Sequence, residues 1–210
     1  MNFFKTPRLL KYLYPRLVWD QKKAPGKKIF LTFDDGPIPE VTPFVLETLK
    51  SFKAEATFFC VGENVDHHPE VYQQILAAGH RTGNHTYNHL NGWKTNNTHY
   101  FNNIASCTQS LAPYTNHVAK PLFRPPYGKI KRSQIRMLHN KYRIVMWDIL
   151  AGDFDPGFSA ETCLQKCIRH SSHGTIIIFH DSYKAAKNLE YVLPRYMEHF
   201  AQAGYQFSAL

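Results

Sequence analysis

The chain has 210 residues, 43% of them hydrophobic and 14% aromatic, which is enough for one sizeable core and excludes an unfolded polar chain. No stretch approaches the roughly 18 consecutive apolar residues of a membrane-spanning helix. The net charge of +9 attracts polyanions in general, but the Lys and Arg are scattered and match no nucleic-acid motif, so no specific nucleic-acid partner is expected.

Residues 1–27 read as a basic arm and residues 28–210 as a single domain. Charges interrupt every apolar run of the arm as far as Arg16, and no small-residue cleavage site follows, so it makes a poor export signal. Its mixture of basic and aromatic residues suits a weak association with a membrane surface or a polyanion. The plainer expectation is a short arm packed on the closed end of the domain. With neither signal nor spanning segment, a cytoplasmic or membrane-peripheral location is expected. Oligomeric state is not legible.

The first strand is Lys28–Phe33, apolar and β-branched, ending in Asp34-Asp35 and stopped by Gly36-Pro37. Thr42-Pro43 reads as an N-cap with proline at the first helical position, opening a helix to about Ser51. Ala56–Val61 is a second strand. Pro69 opens a helix that exits at Gly79, and His80–Asn84 is a short third strand leading into a His-rich loop. A polar helix is expected over about 97–111, a strand over Lys120–Arg124, and a helix near 133–140. The strand Tyr142–Trp147 follows, then a helix over about 159–171 and the strand Thr175–Phe179. A last helix over about 186–203, with Pro194 a possible kink, precedes the strand Tyr205–Ser208. Seven βα repeats with continuous apolar strands predict a parallel sheet. The polar residues Asp34, Asp35, His85, His89, Arg124, Asp153 and His180 all fall at or after the C-terminal ends of strands, where barrel enzymes collect their chemistry. The expected fold is therefore an α/β, distorted (β/α) barrel of seven or eight parallel strands.

Cys60, Cys107, Cys163 and Cys167 show no zinc-type spacing and read as buried thiols. His67, His68, His139, His170, His173 and His199 lie near helix ends, where solvent or capping roles are expected.

Four motifs carry chemistry. Neighbouring strand residues point opposite ways, so one of Asp34 and Asp35 can ligate a metal while the other faces a reactant. His85 and His89 are four apart, and one helical turn would place them on the same face. With Asp35 they make a His₂Asp set, three protein ligands that leave a position for water, as in catalytic zinc sites. Zinc is the default divalent metal, with cobalt, nickel or iron also suited to these donors. Arg124 beside Asp34 would hold that carboxylate ionised, and the backbone N–H of Tyr127, just past Pro125-Pro126, could face a developing oxyanion. His180 ends a strand and is a candidate general acid, with Asp153 the carboxylate that raises its pKa.

In this order, Thr32–Pro37, His85–His89, Arg124–Tyr127, Trp147–Phe154 and Ile178–His180, the motifs resemble those of the NodB-homology polysaccharide deacetylases, carbohydrate esterase family four. The resemblance covers about residues 28–208. It implies a distorted barrel and metal-dependent removal of acetyl groups from N-acetylglucosamine or related sugars. It also implies Asp34 as catalytic base and Asp35, His85 and His89 as metal ligands. Arg124 would orient the base, Tyr127 supply the oxyanion N–H, and His180 act as general acid tuned by Asp153. Leu150 and Phe154 stand where many members of the family carry an acidic residue and a tryptophan, which points to a different substrate groove. Trp93, Tyr87, Tyr127 and Phe154 are candidates for stacking on sugar rings. Two other readings share these residues: a hydrolase of a non-peptide, non-sugar C–N amide bond, and a catalytically silent protein that binds polyanions or glycans.

Overall fold

Alternation along β1 (Lys28–Asp34) defines the two sides of the sheet. Ile29, Leu31 and Phe33 join the main apolar cluster with helical residues such as Val45, Leu49, Leu189 and Val192. Phe30 belongs instead to an inner cluster with Phe59, Leu122, Val145, Ile176 and Leu210. Successive strand side chains take opposite faces, so Phe30, Thr32 and Asp34 line a lumen while their neighbours face the helices.

The computed structural model describes residues 4–114 and 120–210; the first three residues of the basic arm lie outside this range. Among the described residues eight strands form, and every strand pairing is parallel. β1 lies between β2 (Thr57–Cys60) and β7 (Ile176–His180). β3 (Arg81–Asn84), β4 (Leu122–Phe123) and β5 (Arg143–Ile144) continue beyond β2, and β6 (Ile149–Leu150) lies beyond β7. β8 (Gln206–Phe207) pairs with the start of β1. The sheet curls into the expected distorted (β/α) barrel, with its seam between β5 and β6. The arm crosses that seam: Lys5 bridges Ile149, and Val18 bridges Val145. The carboxy-terminal Leu210 joins the inner cluster, donating its N–H to Thr57 Oγ1 and accepting from the Arg81 guanidinium.

The helices are α1 (Arg8–Leu13), α2 (Val41–Ser51), α3 (Gly62–His67), α4 (Pro69–Ala77), α5 (Asn97–Leu111), α6 (Arg132–Leu138), α7 (Ala160–His170) and α8 (Ala186–Gln202). Pro194 lies inside α8 without ending it. None of the described helices is long and apolar enough to cross a membrane.

Four local expectations are corrected. Thr42 does not cap α2; the helix starts at Val41, two residues earlier than expected, and the Thr42 hydroxyl accepts from Ile38 N–H and donates to Asp181. The strand expected over Tyr142–Trp147 is cut to Arg143–Ile144, because Arg124 takes the carbonyls of Val145 and Met146. A separate strand, β6, follows with no intervening helix, so the regular seven-repeat pattern is broken there. His173 is a fastener rather than a solvent or capping group: its Nδ1 accepts from Lys28 N–H, and its Nε2 lies 3.1 Å from the Lys22 carbonyl. The four cysteines are buried and free, as expected.

His80 enters β3 from a buried position against Phe58, where its Nδ1 accepts from the Ala56 N–H. Burial holds its pKa below the usual histidine value, against a weaker pull upward from Glu55. The folded state therefore favours neutral His80. Its contribution is complete above about pH 6.5 and is lost as pH falls below that value, because the unfolded chain then takes up a proton that the fold resists. His80→Gln should flatten the decline in stability between about pH 7 and pH 5, read from urea unfolding midpoints across that range.

Candidate active site

The end of β1 is shaped by a close approach. Asp181, buried just past β7, accepts from Gly36 N–H at 3.1 Å and from the Thr42 hydroxyl at 2.7 Å. A Cβ on Gly36 would lie 2.0 Å from Asp181 Oδ2, so only glycine fits beneath this brace. Asp35 takes a φ of 86°, and its carbonyl accepts from the Asn64 side chain at 2.7 Å. Chain reversal here leaves Asp34 in the lumen and turns Asp35 toward the mouth.

Asp34 is buried and receives Arg124 NH1 at 2.6 Å. Arg124 is fully buried across the lumen, its guanidinium 4.1 Å above the Phe59 ring. It also donates to Thr32 Oγ1 at 2.8 Å and to the carbonyls of Val145 and Met146. Burial would raise the Asp34 pKa, but Arg124, then His85 and His180, outweigh it and hold the carboxyl below its usual range. Asp34 is thus ionised and fixed in orientation.

His85 and His89 do meet, but not on a helix. The 85–89 segment is a loop with Thr86 at φ 65° and His89 at φ 58°. A β-branched residue at positive φ is strained, and side chains hold it there. Asn84 Oδ1 accepts from Thr86 N–H, Thr86 Oγ1 accepts from Leu90 N–H, and Asn103 Oδ1 accepts from Tyr87 N–H. The opening N–H groups of α3, at Gly62 and Glu63, donate to the carbonyls of Thr86 and Tyr87. These satisfy helix-end donors that would otherwise lack partners.

Asp35, His85 and His89 place one donor atom each within 4.8 Å of one another. Asp35 Oδ1 lies 3.8 Å from His85 Nε2 and 3.3 Å from His89 Nε2, yet it is a buried oxygen with no hydrogen bond. His85 Nδ1 donates to the Arg124 carbonyl at 2.8 Å, so Nε2 is the ring nitrogen that faces Asp35. Burial first, and then His85, lower the His89 pKa to about 4, so His89 is neutral. An orphaned carboxylate oxygen beside two neutral-capable imidazole nitrogens is a donor set that fits a divalent cation.

Opposite these groups, His180 ends β7 in register with Asp34. Asp153 accepts from His180 Nδ1 at 2.8 Å and from its backbone N–H at 2.7 Å. Burial disfavours the imidazolium, but the Asp153 charge and hydrogen bond outweigh it and raise the pKa to about 9. His180 therefore carries a proton at neutral pH. Phe154 packs edge-on against it, with ring centroids 4.7 Å apart. Leu150, in β6, pairs with Ile178.

Tyr127 has a φ of 60° within the turn Pro126–Gly128, whose hydrogen bonds run from Gly128 and Lys129 N–H to Pro125 and Pro126. Its exposed ring packs on His89, with its hydroxyl 3.1 Å from Nδ1. Trp93 is also exposed, its indole N–H bound to the Ile130 carbonyl, and Lys129 lies 5.8 Å from the rings of both aromatics. Tyr87 packs on the main core.

All eight sequence-derived site residues thus border one barrel mouth. Sequence reasoning missed Thr32, Asn64, Asn84, Thr42 and Asp181, which brace the others. Only Asp181 carried a signal, as a second carboxylate at a buried strand end beside His180. Its pKa is raised to about 8, chiefly by burial, with Thr42 and Gly36 opposing.

Residues 21–144 match the family described as polysaccharide deacetylase. The chain belongs to that family. Two curated peptidoglycan-N-acetylglucosamine deacetylases of Bacillus cereus are similar to it. One is 36% identical over 74% of this chain and 56% of its own length, so the chain spans little more than half of that relative. The other is 33% identical over 86% of this chain and 85% of its own. A crystal structure of a peptidoglycan N-acetylglucosamine deacetylase superposes with a TM-score of 0.87 at 30% identity, covering 98% of this chain and 95% of the other.

The Arg124–Asp34 pair makes the site sensitive to loss of either partner. Arg124→Met should lower stability by about 3–5 kcal/mol, because it leaves a buried carboxylate unpaired. Adding Asp34→Asn should recover part of that loss in urea unfolding.

Proposed function

We propose that the chain is a metal-dependent hydrolase that removes N-acetyl groups from an N-acetylated sugar of a glycan, with N-acetylglucosamine units the first candidates. The observation that carries this reading is the orphaned Asp35 oxygen between His85 and His89, beside the ionised Asp34 and the protonated His180. The family, and the similarity to deacetylases of N-acetylglucosamine in peptidoglycan, support the same substrate class.

A divalent cation, zinc by preference for this donor set, would be held by Asp35, His85 and His89 and would polarise the amide carbonyl and acidify water. Asp34 is the base that accepts the proton of the attacking water, with Arg124 keeping it ionised and aimed. Tyr127 N–H donates to the oxyanion that forms when water adds to the carbonyl carbon. His180 gives its proton to the sugar nitrogen, which leaves as an amine rather than as an amide anion. Trp93 and Tyr127 offer exposed ring faces for neighbouring sugars.

Zinc-loaded protein should release acetate from N-acetylglucosamine oligomers or peptidoglycan fragments. Chelation should abolish turnover, and Asp34→Asn should lower it by about 100-fold or more. Calorimetric zinc titration should show binding lost in His85→Ala. Zinc binding without turnover on any N-acetyl sugar would move the reading to an amide hydrolase of non-sugar substrates.

The rate profile supplies a second check. Deprotonation of His180 removes the acid, so kcat/KM should fall on the alkaline side, as pH passes about 9. Asp153→Asn removes the charge that raises His180 and should move this limb to lower pH.

A further inference from the structure

Helix α1 is built inside out. Of its two charged residues Arg8 is exposed, whereas Lys11 points to the body of the protein, where Nζ meets Asp20 at 2.8 Å and Asp148 at 2.5 Å. Burial opposes the Lys11 charge, but the two carboxylates outweigh it and raise its pKa above the usual lysine value. The apolar residues face outward: Leu9 is 68% exposed, Leu10 39%, Tyr12 83% and Leu13 50%, and no residue of the helix is buried. This is not a frayed end. Thr6 N–H donates to the Asp148 carbonyl, the Thr6 hydroxyl to the Trp147 carbonyl, and Lys5 Nζ to the His170 carbonyl, while Val18 on the other side bridges Val145.

Beside these leucines lies a cavity of about 440 Å³ between the arm and α6, lined by Leu13, Tyr14, Leu17, Ile135 and three arginines. Leu17 and Ile135 are its buried floor. Arg16, Arg132 and Arg136 are exposed at its rim, with Arg132 and Arg136 one helical turn apart. Arg132 also stands 5.5 Å from the Tyr14 ring.

Charge along the chain reinforces this pattern. All 16 Asp and Glu lie in residues 20–70 and 148–210, so neither residues 1–19 nor residues 71–147 contain an acid. The arm and α6 come from these two acid-free segments. The two carboxylates that meet α1, Asp20 and Asp148, are occupied by Lys11. A second copy of the chain docking on the same face would set arginine against arginine. A soluble polyanion would use the arginines but leave the leucines in water. A bilayer surface bearing anionic headgroups satisfies both, with Leu9, Leu13 and Tyr12 at the acyl boundary and the guanidiniums on phosphates.

We propose that α1 and the arginine-rimmed cavity beside α6 form a docking surface for an anionic lipid bilayer. The surface covers the barrel seam and uses none of the residues of the proposed catalytic site, so docking and turnover are separable.

The test is sedimentation of the full chain with vesicles of phosphatidylcholine alone or mixed with phosphatidylglycerol. Binding is expected on the mixed vesicles, decreasing with salt. Leu9→Ser with Leu13→Ser should weaken it by at least about tenfold. Arg132→Gln with Arg136→Gln should weaken it by roughly 30-fold, at about 1 kcal/mol per basic residue. All four positions are exposed, and melting temperature with acetate release serves as the control for intact folding. Any of four outcomes would overturn the proposal; the first three are no sedimentation with anionic vesicles at low salt, binding unchanged by the leucine substitutions, and a solution dimer that those substitutions dissolve. Polyphosphate competing equally well against wild type and leucine variants would reduce the effect to net charge, and would also reject it.

Discussion

The buried pair Arg124–Asp34 is the constraint on which the rest of the site depends. A guanidinium with no exposure must place its donors on acceptors, and Arg124 does so on Asp34, Thr32 and two carbonyls beyond β5. Those carbonyls are withdrawn from the sheet, so β5 ends early and the barrel opens at its seam. Its own carbonyl receives His85 Nδ1, which sets the tautomer and aim of an imidazole in the proposed metal set. One residue therefore links the barrel wall, the proposed base and a proposed ligand.

Around that pair the protein separates the behaviour of like groups by environment. Asp34 is held ionised by a buried cation, while Asp181, equally buried and without one, is raised to about 8. His89 is pushed down to about 4 and His180 up to about 9. Opposite shifts in groups of one type mark where proton acceptors and donors can coexist at neutral pH. Backbone strain gathers at the same mouth: Asp35, Thr86, His89 and Tyr127 all have positive φ. Asn64, Asn84 and Asn103 supply hydrogen bonds that hold much of this geometry.

The arm has two faces with different work. Its inner face crosses the seam through short bridges and seats Lys11 between two carboxylates. The same ion pairs turn the leucines of α1 outward, beside an acid-free stretch of barrel. A helix anchored by its charge rather than by its apolar side leaves hydrocarbon for another surface, and this is why the arm, not the catalytic mouth, carries the proposed bilayer contact.

Much was legible in the residues themselves. The strands around Phe33, Phe58 and Ile177 are continuous apolar runs, and the polar residues that end them sit where parallel strands present their C-terminal ends. Order and residue type were enough to bring Asp34, Asp35, His85, His89, Arg124, Asp153 and His180 to one mouth and to identify the family. Tertiary structure decided what local pattern cannot encode. The His85–His89 spacing suits a helical turn, but bonds from Asn84, Asn103 and α3 make it a strained loop. Thr42 has the look of a cap and instead braces Asp181. β5 is short because an arginine just past the neighbouring strand β4 takes the carbonyls beyond it. Lys11 on an apolar helix gives no hint of inversion until Asp20 and Asp148 are found beneath it. In each case at least one deciding partner lies well outside the local segment, as Asn103 does for the loop, Asp181 for Thr42 and Asp148 for Lys11. Periodicity records which face is apolar, whereas only the folded chain shows which distant donor or acceptor is close enough to override it.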